Sequence, residues 1–157
     1  KTLFKKWDQK LLDNDAIHFR YHWAKFTNDN NLPPTKEPWG KIVAMNIKSG
    51  KKLWETNVGK LNNQENLNNM KGTINYGGVA LNGGNILFFT GTPDKNIYAL
   101  NAKNGEVIWS YEMKAAGSTS PIIYEIDNKQ FISILATGGA FNEFKEKASV
   151  LYTFSLK

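Results

Sequence analysis

From residue 41 onward, short apolar runs alternate with clusters of Gly, Asn, Asp and Lys at nearly regular spacing. The runs are rich in Ile, Val, Leu, Phe, Tyr and Trp and too short for helices, which predicts strands. Two are expected over residues 41–47 and 52–58, around a turn at Ser49-Gly50. Four more follow over 77–81, 85–91, 96–101 and 106–113, with turns at Asn82-Gly83-Gly84, Thr92-Pro93-Asp94-Lys95 and Lys103-Asn104-Gly105. A third group is expected over 121–126, 130–137 and 148–156, with a turn at Asp127-Asn128 and a loop over 138–147. The polar stretch 59–73, with five Asn between 61 and 70, reads as a surface crossing between the first two groups.

One stretch occurs twice, AMNIKSGKKLW over 44–54 and ALNAKNGEVIW over 99–109, with the two Trp residues 55 positions apart. Each copy reads as strand, tight turn, strand. Asn46 or Asn101 can bond the turn backbone, and Gly50 or Gly105 can take the positive φ of a short hairpin. An antiparallel unit repeated at this period predicts an all-β chain, a partial β-propeller. The strands amount to two outer ones, a full blade of four and three of another, about two and a half blades, whereas closure takes about four blades of four. The open faces are therefore expected to be covered by remaining propeller blades of a longer polypeptide or by self-association.

Residues 1–36 read as an irregular leader or loop region, and 37–157 as the propeller blades. Leu3, Phe4, Trp7, Leu11 and Leu12 share a helical spacing, yet the same window alternates enough for a strand. His18 and His22, four apart, would share a helix face as metal ligands or serve as ordinary packed or exposed histidines; no third ligand stands nearby, and no metal site is assigned. The Asn-, Asp- and Pro-rich stretch 28–38 marks a loop.

Composition narrows the function classes. The net charge of +6 is spread thinly along the chain, unlike the clustered basic face of a nucleic-acid binder, so no nucleic acid is expected as partner. The absence of cysteine excludes a disulfide scaffold and thiolate metal sites while leaving the compartment open. Apolar runs such as 85–90 and 131–136 are too short to span a bilayer as helices. The start at Lys1, without Met or a signal-like apolar segment, suggests a processed or excised piece.

From about Pro34 the motifs fall into a familiar order. Pro38-Trp39-Gly40, the first repeat, Gly72-Thr73-Ile74-Asn75-Tyr76-Gly77-Gly78, the second repeat, Ser120-Pro121-Ile122-Ile123-Tyr124-Glu125, Lys129-Gln130-Phe131 and Gly138-Gly139 together resemble the C-terminal blades of pyrroloquinoline quinone (PQQ) dependent dehydrogenases, nearest the glucose or sugar dehydrogenase branch. The resemblance implies an eight-bladed propeller in which Trp54 and Trp109 are structural docking residues against the neighbouring blade. Trp109 is accordingly expected to be buried. It further implies that the calcium ligands, the catalytic aspartate base and most quinone contacts lie in upstream blades, leaving this chain inactive alone, without catalytic residues or a metal site of its own.

What the resemblance does assign here is part of the wall around PQQ. Asn75 and Tyr76 stand before the Gly-Gly where family members place a quinone-contacting residue, and an aromatic there suits a flat ring. Gly77 and Gly78 would permit close backbone approach; small residues at a narrow strand start are the equal alternative. Gly139 and Ala140 form the second wall element, together with Gly138. Membrane glucose dehydrogenases commonly carry His where Ala140 stands, which argues against glucose as substrate. Asn46 and Asn101 replace the family's acidic residue and keep a hydrogen-bonding turn without charge.

Two functions follow. The first is a periplasmic quinoprotein dehydrogenase fragment, with a sugar or alcohol substrate, a quinone or cytochrome electron acceptor, and membrane association an option for the full-length protein. The alternative is a non-enzymatic Trp-bearing propeller scaffold that binds protein partners; the 75–78 and 138–139 motifs favour the enzyme, because a scaffold has no need of them.

Overall fold

A computed structural model describes residues 4–6, 19–21, 26–28, 33–60, 70–139 and 146–155. The chain divides into two compact units, Lys1–Lys36 and Glu37–Lys157. In the first, β1 (Phe4–Lys6) pairs antiparallel with β2 (Phe19–Tyr21), so an extended pair stands where the sequence left helix and strand open. His18 and His22 lie outside the described residues.

The second unit is a partial β-propeller of three antiparallel sheets. The first sheet holds β3 (Lys41–Met45) and β4 (Lys52–Asn57). The second has the order β5 (Val79–Leu81), β6 (Ile86–Phe89), β7 (Asn96–Asn101) and β8 (Val107–Glu112). The third holds β9 (Ile122–Ile126), β10 (Lys129–Ala136) and β11 (Val150–Ser155), with β10 in the centre. Each strand falls on its predicted run, most of them trimmed by a few residues where the backbone enters a turn, while β10 starts one residue early at Lys129.

Both copies of the repeat fold alike. Ala44 pairs with Trp54 and Ala99 with Trp109, and in each hairpin the register shifts at the residue after that Ala. Asn46 accepts hydrogen bonds from the backbone N–H groups of Lys48 and Ser49, and Asn101 accepts one from Lys103. Gly50 and Gly105 take φ values of 67° and 76°, in the left-handed region that a β-carbon penalises.

The core lies on both faces of the second sheet. Because side chains alternate along a strand, Phe88, Ile97 and Ala99 face the third sheet, joining Ile132, Ile134 and Ala136. Leu87, Phe89, Tyr98 and Leu100 face the other way, clustering with Val58 and Met70 and with Ile42 of β3. Central strands buried on both sides explain why 86–89 and 97–100 read as unbroken apolar runs. The end sheets have one covered face each. Val43, Met45 and Leu53 are exposed on the first, and Ile122, Tyr124, Ile126, Leu135 and Leu151 on the third.

The Trp residues diverge. Trp54 donates from Nε1 to the Ala102 carbonyl at 2.9 Å, and Thr56 Oγ1 donates to the Gly105 carbonyl at 2.7 Å, so the first sheet grips the turn of the second. Trp109, expected to be buried, is 39% exposed. It packs edge-on against Phe154 at 5.3 Å between centroids and stacks on Tyr111. The physical reason is the missing counterpart: among the described residues no hairpin turn lies against Trp109 as 102–105 lies against Trp54.

Candidate functional site

In the second sheet the segment before β5 and the β6–β7 turn meet at one end, opposite the hairpin turns at 82–85 and 102–106. Tyr76 donates its backbone N–H to the Gly91 carbonyl at 3.0 Å, which continues the β5–β6 ladder past the regular strands. Gly77 and Gly91 press backbone to backbone; a β-carbon on Gly77 would collide with the Thr90 carbonyl, and one on Gly91 with Gly77. Gly78 leaves no room either, since Ser120 Oγ occupies that place. The smallness of Gly77 and Gly78 thus serves close packing within the second sheet and against the entry to the third. Asn75 is half-buried, and its side-chain amide lies beside Gly40. Tyr76 stays 37% exposed, a large aromatic left open among tightly packed glycines.

The same end of the third sheet carries Thr137-Gly138-Gly139, which corresponds to Thr90-Gly91-Thr92 in the second. Gly138 and Gly139 have φ values of 74° and 56°. Gly138 donates its N–H to the Ala116 carbonyl at 2.9 Å, and Thr137 Oγ1 donates to Ser118 Oγ at 2.8 Å. The loop is thereby tied to the segment 116–118 that precedes β9. Lys147 Nζ donates to the Gly138 and Gly139 carbonyls at 2.9 and 2.8 Å. Ala140, the other residue of the expected second wall element, lies outside the described residues.

Sequence reasoning missed two groups. It treated Asp94 as an ordinary turn residue, yet its carboxylate is a hub. Oδ2 accepts from the Tyr98 hydroxyl and from the Lys60 N–H at 2.6 Å, while Oδ1 accepts from Thr92 Oγ1 at 2.5 Å and the Asn96 N–H at 3.2 Å. Burial first, then the Asp94 charge, pushes the Tyr98 phenol far above its usual range, so Tyr98 stays a neutral donor. The Asp-x-x-x-Tyr spacing across a turn was the available signal. Lys147 gave none, because nothing in its local sequence points back to residues 138 and 139.

Among the described residues no group of three His, Cys, Asp or Glu side chains could hold a metal ion. The hydroxyl of buried Thr73 has no partner among them, standing where a side chain on Gly59 would be. At the opposite, hairpin-turn end an open hollow of about 170 Å³ is lined by Gly84, Asn85, Ile86, Asn101, Lys103 and Ile108. A flat quinone bearing carboxylates asks for an aromatic face and for cationic or N–H donors. An exposed Tyr76 beside Asn75, with Lys147 over Gly138-Gly139, fits parts of a wall for such a group.

Comparison with known proteins agrees with this architecture. Residues 4–132 match the family model described as PQQ, glucose/ethanol/alcohol dehydrogenase, β-propeller domain. The match starts well before Pro34 and takes in β1 and β2. Quinoprotein glucose dehydrogenase A of Acinetobacter calcoaceticus is 33% identical over 126 residues, 75% of this chain and 16% of that protein. The 1-butanol dehydrogenase (cytochrome c) of Thauera butanivorans is 29% identical over 134 residues, 81% of this chain and 17% of that protein. The chain thus spans about one-sixth of the length of these relatives. The crystal structure of quinohemoprotein alcohol dehydrogenase from Comamonas testosteroni superposes with a TM-score of 0.58 at 21% identity, covering 78% of this chain and 17% of that one, a likeness of fold.

Proposed function

Since the chain belongs to the PQQ-linked glucose/ethanol/alcohol dehydrogenase β-propeller family, we propose that it is a part of an enzyme that oxidises a sugar or an alcohol with PQQ as cofactor. Within that enzyme it supplies blade packing and one portion of the cofactor wall. The observation that carries the wall assignment is Tyr76, a half-open aromatic at the end where Gly77, Gly78 and Gly91 bring the backbones into contact. When bound, PQQ accepts the two electrons and protons given up by the carbinol, chemistry that belongs to the cofactor. The chain's own share is positional. Tyr76 offers a flat face, Asn75 an amide, and the Gly139 backbone a second boundary. Calcium ligands and the base come from parts of the polypeptide outside this chain, whose isolated form is inactive, and Trp54 serves as a blade-docking residue. The enzyme works in the periplasm and passes electrons to a quinone or cytochrome.

Titration of the polypeptide that carries this chain with PQQ, followed by quenching of Trp fluorescence, tests the reading. Tyr76→Ala is expected to weaken binding about tenfold, the scale of a lost aromatic contact on a desolvated ligand. Binding unchanged by this substitution removes Tyr76 from the wall.

A further inference from the structure

The two corresponding loops, 90–95 and 137–139, are held by opposite means. In the second sheet the Gly91 carbonyl is taken by the Tyr76 N–H, and the loop beyond is gathered by the Asp94 carboxylate, an anion collecting N–H and O–H donors. In the third sheet two successive left-handed glycines turn their carbonyls to one cation. Lys147 Nζ reaches both, and among the described residues it is the donor each carbonyl receives. The aliphatic stem lies along the loop as well, with Lys147 Cδ 3.1 Å from where a β-carbon on Gly138 would stand. A lysine side chain gives up considerable rotamer freedom in such a clasp, and charge-assisted bonds to two carbonyls offset it.

We propose that Lys147 is a positioning residue, whose ammonium locks the Gly138-Gly139 turn and so fixes the backbone boundary that Gly139 gives to the cofactor wall. This rests on the reading of residues 138–139 as part of that wall. Left-handed Gly-Gly is among the most permissive of backbone pairs, so without the clasp the turn has many accessible conformations. Among the described residues the remaining ties are Gly138 N–H to Ala116, Gly139 N–H to Thr137 Oγ1 and Ala148 N–H to the Thr137 carbonyl, and none of them holds the two glycine carbonyls. A wall placed by a supporting residue of this kind loses affinity when the support goes, even though the ligand never touches it.

The test uses the full polypeptide carrying this chain, with PQQ itself as the probe, and compares Lys147→Met, Lys147→Arg and Tyr76→Ala. Two readouts are taken, PQQ affinity and amide hydrogen exchange at Gly138, Gly139 and Ala148. Lys147→Met is expected to weaken PQQ binding about tenfold, as for loss of a charged hydrogen bond. It should also speed exchange at those amides while leaving the global unfolding midpoint in place. Lys147→Arg, which keeps a cation, should recover most of both. If Lys147→Met does not fold, Lys147→Gln takes its place. Weakened binding with unchanged exchange overturns the proposal, because Lys147 would then act on the cofactor directly. Faster exchange with unchanged binding overturns it too, if Tyr76→Ala still weakens binding and the wall reading stands. Unchanged binding in both Lys147→Met and Tyr76→Ala sinks that reading, and the proposal with it.

Discussion

The two interfaces flanking the second sheet use the same strands and differ in how they close at the periphery. Toward the first sheet, Leu87, Phe89, Tyr98 and Leu100 form the core, and at the rim Trp54 and Thr56 hydrogen-bond the turn after β7. Toward the third, Phe88, Ile97 and Ala99 form the core, and at the rim Trp109 and Tyr111 meet the rings of Phe154 and Tyr152, with no turn among the described residues to grip. The hairpin motif therefore folds from its own Asn and Gly, while the burial of its Trp depends on what the neighbouring sheet presents. A local signal fixes local structure, and a tertiary outcome needs both partners.

The cores should be equivalent. Leu100→Ala and Ile97→Ala, at fully buried positions on opposite faces, are each expected to cost about 2–5 kcal/mol in guanidinium unfolding. A large cost on one face alone would break the symmetry of the cores. The rims should not match. Trp54→Phe gives up a hydrogen bond and packing and should cost about 1–2 kcal/mol. Trp109→Phe, at a partly exposed site, should stay within about 0.5 kcal/mol. Equal losses would mean that the grip on Ala102 contributes nothing. Thr56→Val isolates the second bond of that grip, with about 1 kcal/mol expected from the same unfolding curves.

The smallest contrast is in pH. The hydrogen bond and charge of Lys52, with Lys41, hold the Glu55 carboxyl below its usual value of 4.5. A depressed carboxyl stabilises above its unfolded pKa, and that contribution disappears as pH falls through the folded one. In the second sheet, the hydrogen bond with Glu112 raises Lys95 above 10.5, so its contribution is present below that value and disappears as pH rises through the folded pKa. Glu55→Gln should flatten only the acid limb of a stability–pH curve, and Glu112→Gln only the alkaline limb. Both effects are slight at such exposed pairs.

Strand positions and the repeat were legible because alternation and turn chemistry are written locally: Asn46, Gly50, Asn101 and Gly105 each do what their residue type predicts. The division of β6 and β7 into two buried faces is what the structure adds to their continuous apolar runs. Trp109 was misjudged because its burial belongs to a neighbour. Close backbone approach was legible at Gly77 and Gly78, where it serves packing within the second sheet and against the entry to the third. Asp94 and Lys147 escaped because their partners sit across turns or in the returning strand, and one sequence does not announce a bond between residues 138 and 147.

The contact between Trp54 and the turn at 102–105 also sets how such units can be inherited. Gly105 has no room for a side chain because the Trp54 ring fills the space, so the glycine of one unit is constrained by the indole of the one before it. A duplication or exchange cut inside the polar crossing 59–73 separates the two and hands an incoming blade to a foreign indole. A cut between the turn and its own Trp, within 106–108, transfers the indole and the glycine of a junction together. Grafts between related propellers made at the second kind of boundary should tolerate divergent blades better than grafts made at the first.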